Sequence, residues 1–170
     1  MAAPQKDAQP LLRHGGAQLP SVEIDTYNLE VKDDEGFVGD RASRSSFVTI
    51  LDGWRDIAKD AGIDDGLGQK PTLEISKKKL DETLSDGEEH AVAVLHSAVE
   101  DFAQALAYVV RRFMRTKGWK ETESIAIGGG FSNSRAARIA MARAELLLRA
   151  EGTHVSLLPI THDPDEAGLI

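Results

Sequence analysis

The sequence predicts an α/β fold that is rich in helix, with two parallel strands and long flanking helices. Apolar residues recur at three- and four-residue spacing in the stretches 47–61 and 88–117, which is the period of a helix. Two short apolar segments, 124–127 and 153–160, flank a further helical stretch. A glycine run ends the first of these segments, which gives a strand, turn, helix and strand unit whose strands would normally be parallel.

The composition is that of a soluble globular protein and limits the classes of function. Hydrophobic residues make up 41% of the 170 residues and charged residues 28%, with a formal net charge of -8. The acidic balance argues against general nucleic-acid binding, which needs clustered Lys and Arg. The absence of cysteine excludes disulfides, thiolate metal sites and cysteine nucleophiles. With no apolar run of membrane-spanning length, we expect a cytoplasmic protein without a membrane partner.

The first part of the chain carries weak signals. Residues 1–21 are rich in proline and glycine and predict a disordered lead-in. The segment Val22–Val31 alternates roughly and predicts one or two short strands, and Asp33–Gly36 predicts a turn. The polar loop that follows, Phe37 to Ser46, contains Arg41 and Arg44 and could bind an anion, although a plain surface loop is the favoured interpretation.

The helical part is predicted over 47–117. A first helix runs from Phe47 to Ala61, with Gly62 as its C-cap, and a surface loop follows over 63–71. A shorter helix is predicted over 72–84, with its three lysines on a solvated face. The longest helix is predicted over 88–117. Its buried stripe is predicted to comprise Ala91, Val94, Leu95, Ala98, Phe102, Ala105, Leu106, Val109 and Phe113.

The glycine run Gly128–Gly130 is the strongest chemical signal. Glycines let a ligand lie flat against the backbone, and N–H groups at the start of the following helix meet acceptors or anions. Both properties suit a nucleotide. The run is neither G-x-G-x-x-G nor a P-loop, because Asn133 stands at the third glycine position and no GKT or GKS follows. From the glycines alone, a tight turn without a ligand is at least as good an interpretation.

The last half of the chain is similar to a known family. The stretch SIAIGGGFS over 124–132, the following helix, the strand 154–158 and the sequence DPDEAGLI over 163–170 resemble the C-terminal end of ROK-family proteins. These are sugar kinases and related repressors of the actin-like ATPase superfamily. The resemblance covers about 91–170. It implies that residues 22–170 form a partial ROK-like, ribonuclease H-like nucleotide-binding lobe.

The resemblance also implies a ligand site. Gly129 and Gly130 would lie against the adenosine of ATP, and Gly128 would support the turn. Phe131 and Ser132 would line the base or ribose, and the helix that starts near Asn133 would point its N-terminus toward the nucleotide. ATP with Mg²⁺ would be the cofactor, and a sugar would be the acceptor.

Several parts of a ROK kinase are missing from the sequence. We find no D-x-G-x-T hairpin for the phosphates, no aspartate in a D-N motif to act as base, and no cysteines for the family's zinc site. A final helix is predicted from Asp163, with Pro164 and Glu166 completing its cap, and it is cut short at Ile170. We therefore expect a fragment, whose phosphate-binding half would follow Ile170 in a circularly permuted order.

Two functions remain. The chain is either the adenosine- or ATP-binding portion of a ROK-type carbohydrate kinase, incomplete by itself, or a non-catalytic ROK-like interaction domain. A repressor is disfavoured, because the segment before Val22 is too short for a helix-turn-helix. An isolated half would expose apolar surface, so self-association into a homo-oligomer is expected.

Overall fold

The computed structural model describes residues 30–129 and 131–160. Within them the α/β, helix-rich class that the sequence predicts is confirmed. The elements are β1 (Lys32–Asp33), β2 (Gly36–Phe37), a 3-10 helix (Val38–Ala42), α1 (Arg44–Asp60), a 3-10 helix (Thr72–Glu74), α2 (Lys77–Asp86), α3 (Glu89–Met114), a 3-10 helix (Lys117–Trp119), β3 (Ser124–Ile127), α4 (Arg135–Ala150) and β4 (Ser156–Pro159).

The long helix α3 is the centre of the fold, since it contacts α1, α2 and α4. The sequence placed its ends too far out: the helix begins at Glu89 and ends at Met114. It ends because the N–H of Thr116 turns back to the carbonyl oxygen of Phe113 at 2.8 Å. The stripe is confirmed except at Ala105 and Phe113, which are half-buried. The buried residues of α3 are Ala91, Val94, Leu95, Ala98, Val99, Phe102, Ala103, Leu106, Ala107, Val109 and Val110.

Helix α1 begins three residues before the predicted start. The side chain of Ser43 accepts a hydrogen bond from the N–H of Ser46 at 3.1 Å, and this N-cap sets the first turn at Arg44. At the other end Gly62 has a φ of 71°, and the N–H of Ile63 reaches the carbonyl oxygen of Ala58 at 2.8 Å. The predicted glycine C-cap is therefore confirmed as a Schellman motif.

The parallel strands and the helix between them also match the prediction. Strand β3 pairs with β4 in parallel, with Ile125 opposite Leu157 and Ile127 opposite Pro159. Strand β4 begins at Ser156, three residues later than predicted, because the N–H of Thr153 still belongs to the end of α4. That N–H donates to the carbonyl oxygen of Leu148 at 2.9 Å.

The outer edge of β4 is closed by its own chain. The N–H groups of Ser156 and Ile160 point to β3, where they donate to carbonyl oxygens at 2.9 Å. Because the backbone N–H and C=O groups of successive strand residues point to alternate sides, those of the intervening residues Leu157 and Pro159 point away from β3. The N–H of Leu157 donates to the Glu145 carboxylate at 3.2 Å, and proline has no N–H to offer.

The segment before α1 departs from the prediction. The predicted turn Asp33–Gly36 is the tip of a short antiparallel hairpin, in which Lys32 pairs with Phe37. The predicted polar loop over 37–46 is instead a 3-10 helix that leads into α1 and buries Val38 completely. A single buried valine among polar residues leaves no periodic pattern that a sequence reading detects.

Three predicted features lie outside the described residues. They are the lead-in over 1–21 with most of the strand Val22–Val31, the third glycine of the run, Gly130, and the final helix from Asp163. Within the described residues, no helix combines the length and the apolar character needed to cross a membrane.

Candidate functional site

The glycine turn leaves the carboxyl end of β3. Gly129 has a φ of +102°, a conformation that side chains with a Cβ rarely adopt, and among the described residues no atom beyond its chain neighbours lies within 4 Å of where its Cβ would be. A Cβ on Gly128 would lie 2.9 Å from Cδ1 of Ile160. Glycine is therefore favoured at the two positions for different reasons. Gly129 permits the backbone conformation of the turn, and Gly128 permits close packing against Ile160, which follows β4.

Ser132 serves the turn itself. Its hydroxyl donates to the carbonyl oxygen of Gly129 at 2.8 Å, and its N–H donates to the same oxygen at 3.0 Å. The residue is 4% exposed. In this conformation the hydroxyl stabilises the turn from within, and a ligand at Gly129 would meet the backbone rather than this side chain.

Phe131 faces inward, toward the helices. Its ring lies 4.5 Å from that of Phe47 and 6.0 Å from that of Phe102, measured between centroids. Phe47 and Phe102 themselves meet edge to face at 5.5 Å. These offset and edge-on arrangements are the favoured geometries of aromatic pairs. The three rings connect the glycine turn to α1 and α3, and they fix where the turn lies.

A groove runs along the exposed side of Phe131. We call it the aromatic groove; its volume is about 320 Å³, within the range of small-molecule sites. Its apolar lining is Phe47, Val48, Leu73, Ile75, Leu80 and Phe131, and its polar lining includes Arg44, Glu74, Ser76 and Lys77. The groove therefore combines an aromatic floor with a rim that carries both charges.

Arg55 holds the wall of this groove in place. Its guanidinium donates to the Asp65 carboxylate at 2.6 Å, to the Gly68 carbonyl oxygen at 2.6 Å and to the Thr72 hydroxyl at 2.8 Å. Thr72 donates in turn to the carboxylate of Asp52 on α1. Leu67 and Ile75 anchor the segment between α1 and α2 in the core, and the bonds of Arg55 join Asp65, Gly68 and Thr72 of that segment to α1.

Helix α4 begins directly after the glycine turn. Ser134 is its N-cap, and the hydroxyl, on a residue only 1% exposed, accepts the N–H of Ala137 at 3.1 Å. The N–H of Ser134 donates to the carbonyl oxygen of Phe131 at 3.0 Å. The family resemblance implied that this helix start faces a nucleotide, which would suit its first N–H groups, since these have no partner inside the helix.

A carboxylate from α2 occupies the rest of that helix start. Oδ1 of Asp81 accepts the N–H of Arg135 at 2.8 Å and, over a longer distance of 3.4 Å, that of Ala136. Together with the bonds of Ser134, every N–H from 134 to 137 therefore has an acceptor within the chain. The negative charge also complements the positive end of the helix dipole.

A second hollow lies between the β1–β2 hairpin and α3. We call it the acidic hollow; it is a shallow space of about 420 Å³ lined by Asp33, Asp34, Glu35, Arg41, Ala105 and Tyr108. Arg41 donates to both oxygens of Asp33, at 2.8 and 2.9 Å, and to Glu35 at 2.7 Å. This bonding lowers the pKa of Asp33 and raises that of Arg41, in each case chiefly through their mutual hydrogen bond. The arginine that the sequence offered as an anion donor is thus already paired.

The described residues contain no group of three or more His, Asp or Glu side chains that could hold a metal ion. No protein-family model, no curated protein and no solved structure matches the chain.

The structure brings some predicted site residues together and separates others. Gly128, Gly129 and Ser132 form one turn, and Phe131 leads from it into the aromatic groove. Gly130 lies outside the described residues. The sequence reading missed Asp81 and Arg55, whose bonds join residues far apart in the chain. For Asp81 the partner is 54 residues away, and no local pattern reports such a contact.

Proposed function

We propose that this chain is the adenosine-binding portion of a ROK-type carbohydrate kinase, with a partial ribonuclease H-like (actin-like ATPase) fold, and is not catalytically complete alone. One observation carries the proposal. A glycine turn ends a parallel strand, and within the described residues no atom other than its chain neighbours lies within 4 Å of the Cβ position of Gly129. The next described residue, Phe131, forms part of an aromatic groove of about 320 Å³. Flat apolar rings of the size of adenine suit such a floor.

The chemistry available in the groove supports binding and not phosphoryl transfer. The floor offers stacking on Phe131, and the backbone at Gly129 offers close approach without a side chain. Phosphoryl transfer also needs a metal, groups around the phosphates and a carboxylate base beside the sugar hydroxyl. On this proposal ATP, Mg²⁺ and the sugar would meet those groups in a second half, and kinase activity requires both halves.

A substitution at Gly129 tests the proposal, with a matched control in the same chain. In Gly129→Ala a methyl group enters the open space, and adenosine binding should weaken by about tenfold, because contact at the nucleoside face is lost. Gly152→Ala is the control: Gly152 also has a positive φ, +83°, and in the described part of the chain no atom other than its neighbours lies within 4 Å of its Cβ position. It follows the C-terminal end of α4, whereas the glycine turn precedes the N-terminal end of that helix.

The measurement is calorimetric titration of the 170-residue chain and both variants with adenosine and with MgATP. Each variant should lose about 1 kcal/mol of stability from backbone strain, and only Gly129→Ala should lose affinity. Equal affinity in the two variants contradicts the proposed site. Absence of binding by all three proteins contradicts the proposed function of this chain.

A second candidate is a non-catalytic interaction domain. The observation that favours it is the closed start of α4, where every N–H from 134 to 137 is bonded within the chain and no ligand is needed. Exposed apolar residues near the sheet, Leu158 and Ile160, fit a contact surface. Self-association in sedimentation experiments without any nucleotide binding would favour this candidate.

A further inference from the structure

We propose that Asp81 is a specificity-determining residue, which keeps phosphate away from the start of α4 and makes the glycine turn select the uncharged nucleoside part of its ligand. This proposal rests on the proposed function, since it concerns the ligand of the same turn. It departs from the usual expectation that a glycine turn before a helix receives the anionic part of a nucleotide.

The first N–H groups of α4 are already used as hydrogen-bond donors. An anion binds at a helix start because N–H groups there have no partner inside the helix. In α4 the N–H groups of Arg135 and Ala136 are directed at Oδ1 of Asp81, at 2.8 and 3.4 Å. The carboxylate oxygen occupies the place where a phosphate oxygen would accept the same bonds.

The negative charge of Asp81 also opposes an incoming phosphate. The carboxylate of Asp81 is fixed at the point where an incoming phosphate would have to lie, and two anions within a few ångströms repel each other. In the described residues its bonds are to backbone N–H groups, and no salt bridge from a Lys or Arg offsets its charge. A phosphate would therefore have to displace the carboxylate or stay outside the turn.

Asp81 is adjacent in sequence to a residue that lines the aromatic groove. The preceding residue, Leu80, forms part of the groove floor, so one turn of α2 carries both the apolar floor and the acid that closes α4. A ligand seated on Phe131 thus has an uncharged surface below it and an occupied helix start beside it. The ligand class that fits is a nucleoside, or a nucleotide whose phosphates lie away from α4.

The test compares adenosine with MgATP and with free ATP, using calorimetry on the 170-residue chain. In the unmodified chain the affinities for adenosine and free ATP should agree within about threefold, because the phosphates add no contacts at the turn. A preference for free ATP of more than about tenfold that Asp81→Ala does not increase further contradicts the proposal.

Two variants separate the bond from the charge. Asp81→Ala removes both and should raise the affinity for free ATP relative to adenosine by about tenfold, because N–H groups and the helix dipole become available. Asp81→Asn keeps an acceptor oxygen without the charge and should raise the ratio by a smaller factor, about threefold. Circular dichroism establishes that each variant is folded, and Asp81→Asn keeps the test decisive if the alanine variant unfolds.

The matched control is Glu82→Ala. Glu82 is the next residue of α2, carries the same charge and pairs with Lys78 at 3.6 Å, away from α4. Its removal should leave the ratio of affinities unchanged. An equal rise in Glu82→Ala and Asp81→Ala means that net charge alone is responsible, which overturns the proposal.

Failure of the proposed function gives a different signature from failure of this inference. If no protein binds adenosine, inorganic phosphate is titrated instead, and the amide signals of Arg135 and Ala136 are followed by NMR. The proposal expects phosphate-dependent shifts in Asp81→Ala and none in the unmodified chain. Equal shifts in both proteins, or none in either, would count against a role for Asp81 in excluding anions.

Discussion

Helices α2 and α4 both begin beside the aromatic groove, and their first turns are completed in opposite ways. At α4 the N-cap Ser134 is buried, and a carboxylate from another helix accepts the next two N–H groups. At α2 the N-cap Ser76 is exposed and accepts only the N–H of Lys79, at 3.2 Å. None of the described residues accepts the N–H of Lys77 or Lys78.

The difference teaches that a glycine turn does not by itself decide where a charged ligand is received. By sequence, α4 follows the glycines and should be the open helix start. In the structure its donors are used, while the start of α2 forms part of the groove rim together with Arg44 and Lys77. At the start of α4 the carboxylate of Asp81 accepts the N–H groups directly, whereas the rim at the start of α2 carries Arg44, Glu74 and Lys77.

The largest expected effect tests how the α2 side of the groove is held. Replacing Arg55 with Met should lower the free energy of unfolding by about 3 kcal/mol, because Asp65 and the carbonyl oxygens of Gly68 and Lys70 lose their donor in a partly buried position. The comparison is Arg143→Met, whose partner Glu100 lies at 2.7 Å in an exposed pair. That variant should lose much less, because an exposed ion pair contributes little to stability. Urea denaturation measures both, and equal losses would refute the difference.

A smaller effect compares the two N-caps directly. Ser134→Ala should lower the free energy of unfolding by about 1–2 kcal/mol, because a buried N–H at Ala137 loses its acceptor. Ser76→Ala should lower it by about 0.5 kcal/mol, because water replaces the exposed hydroxyl. Thermal unfolding followed by circular dichroism measures both. If the exposed cap proved the more costly to remove, burial would not be what distinguishes the helix starts.

The smallest effect concerns the acidic hollow, where charge acts without closing a helix. The hydrogen bond from Arg41 lowers the pKa of Asp33 below its ordinary value of 3.8. A lowered folded-state pKa contributes stability above the unfolded value, and this contribution is lost as the pH falls through the folded value. The melting temperature of Asp33→Asn should therefore lie below that of the unmodified chain near neutral pH. The gap should close on acidification below 3.8. A gap that stays constant over this range would contradict the pairing.

The sequence predicted the parts of the fold that local patterns determine. Strand β3 and helix α4 have the predicted bounds, because an apolar run, glycines and a serine cap follow one another directly. Contacts between distant residues could not be predicted. The bond between Asp81 and α4, the clamp of Arg55 on its loop and the burial of Val38 all depend on how elements meet in space.

For the candidate site the same division holds. The glycine turn and Phe131 were found, since the motif is contiguous. The groove beside them was missed, because α1 and the segment 72–80 supply most of its lining. The expectation that α4 would point its N-terminus at a nucleotide came from the family resemblance, and in the structure the carboxylate of Asp81 lies at that helix start.

The outer edge of β4 has no free hydrogen-bond donor at Leu157 or Pro159, which affects where the small sheet could be extended. With the N–H of Leu157 bonded to Glu145 and no N–H at Pro159, an added strand would find no donor along that side. A further strand that forms a full ladder of hydrogen bonds would therefore lie beside β3, whichever chain or segment supplied it. That side leads into Gly128 and Gly129, so a joining strand would end next to the glycine turn. Enlargement of the sheet and construction of the ligand site would then be a single structural event.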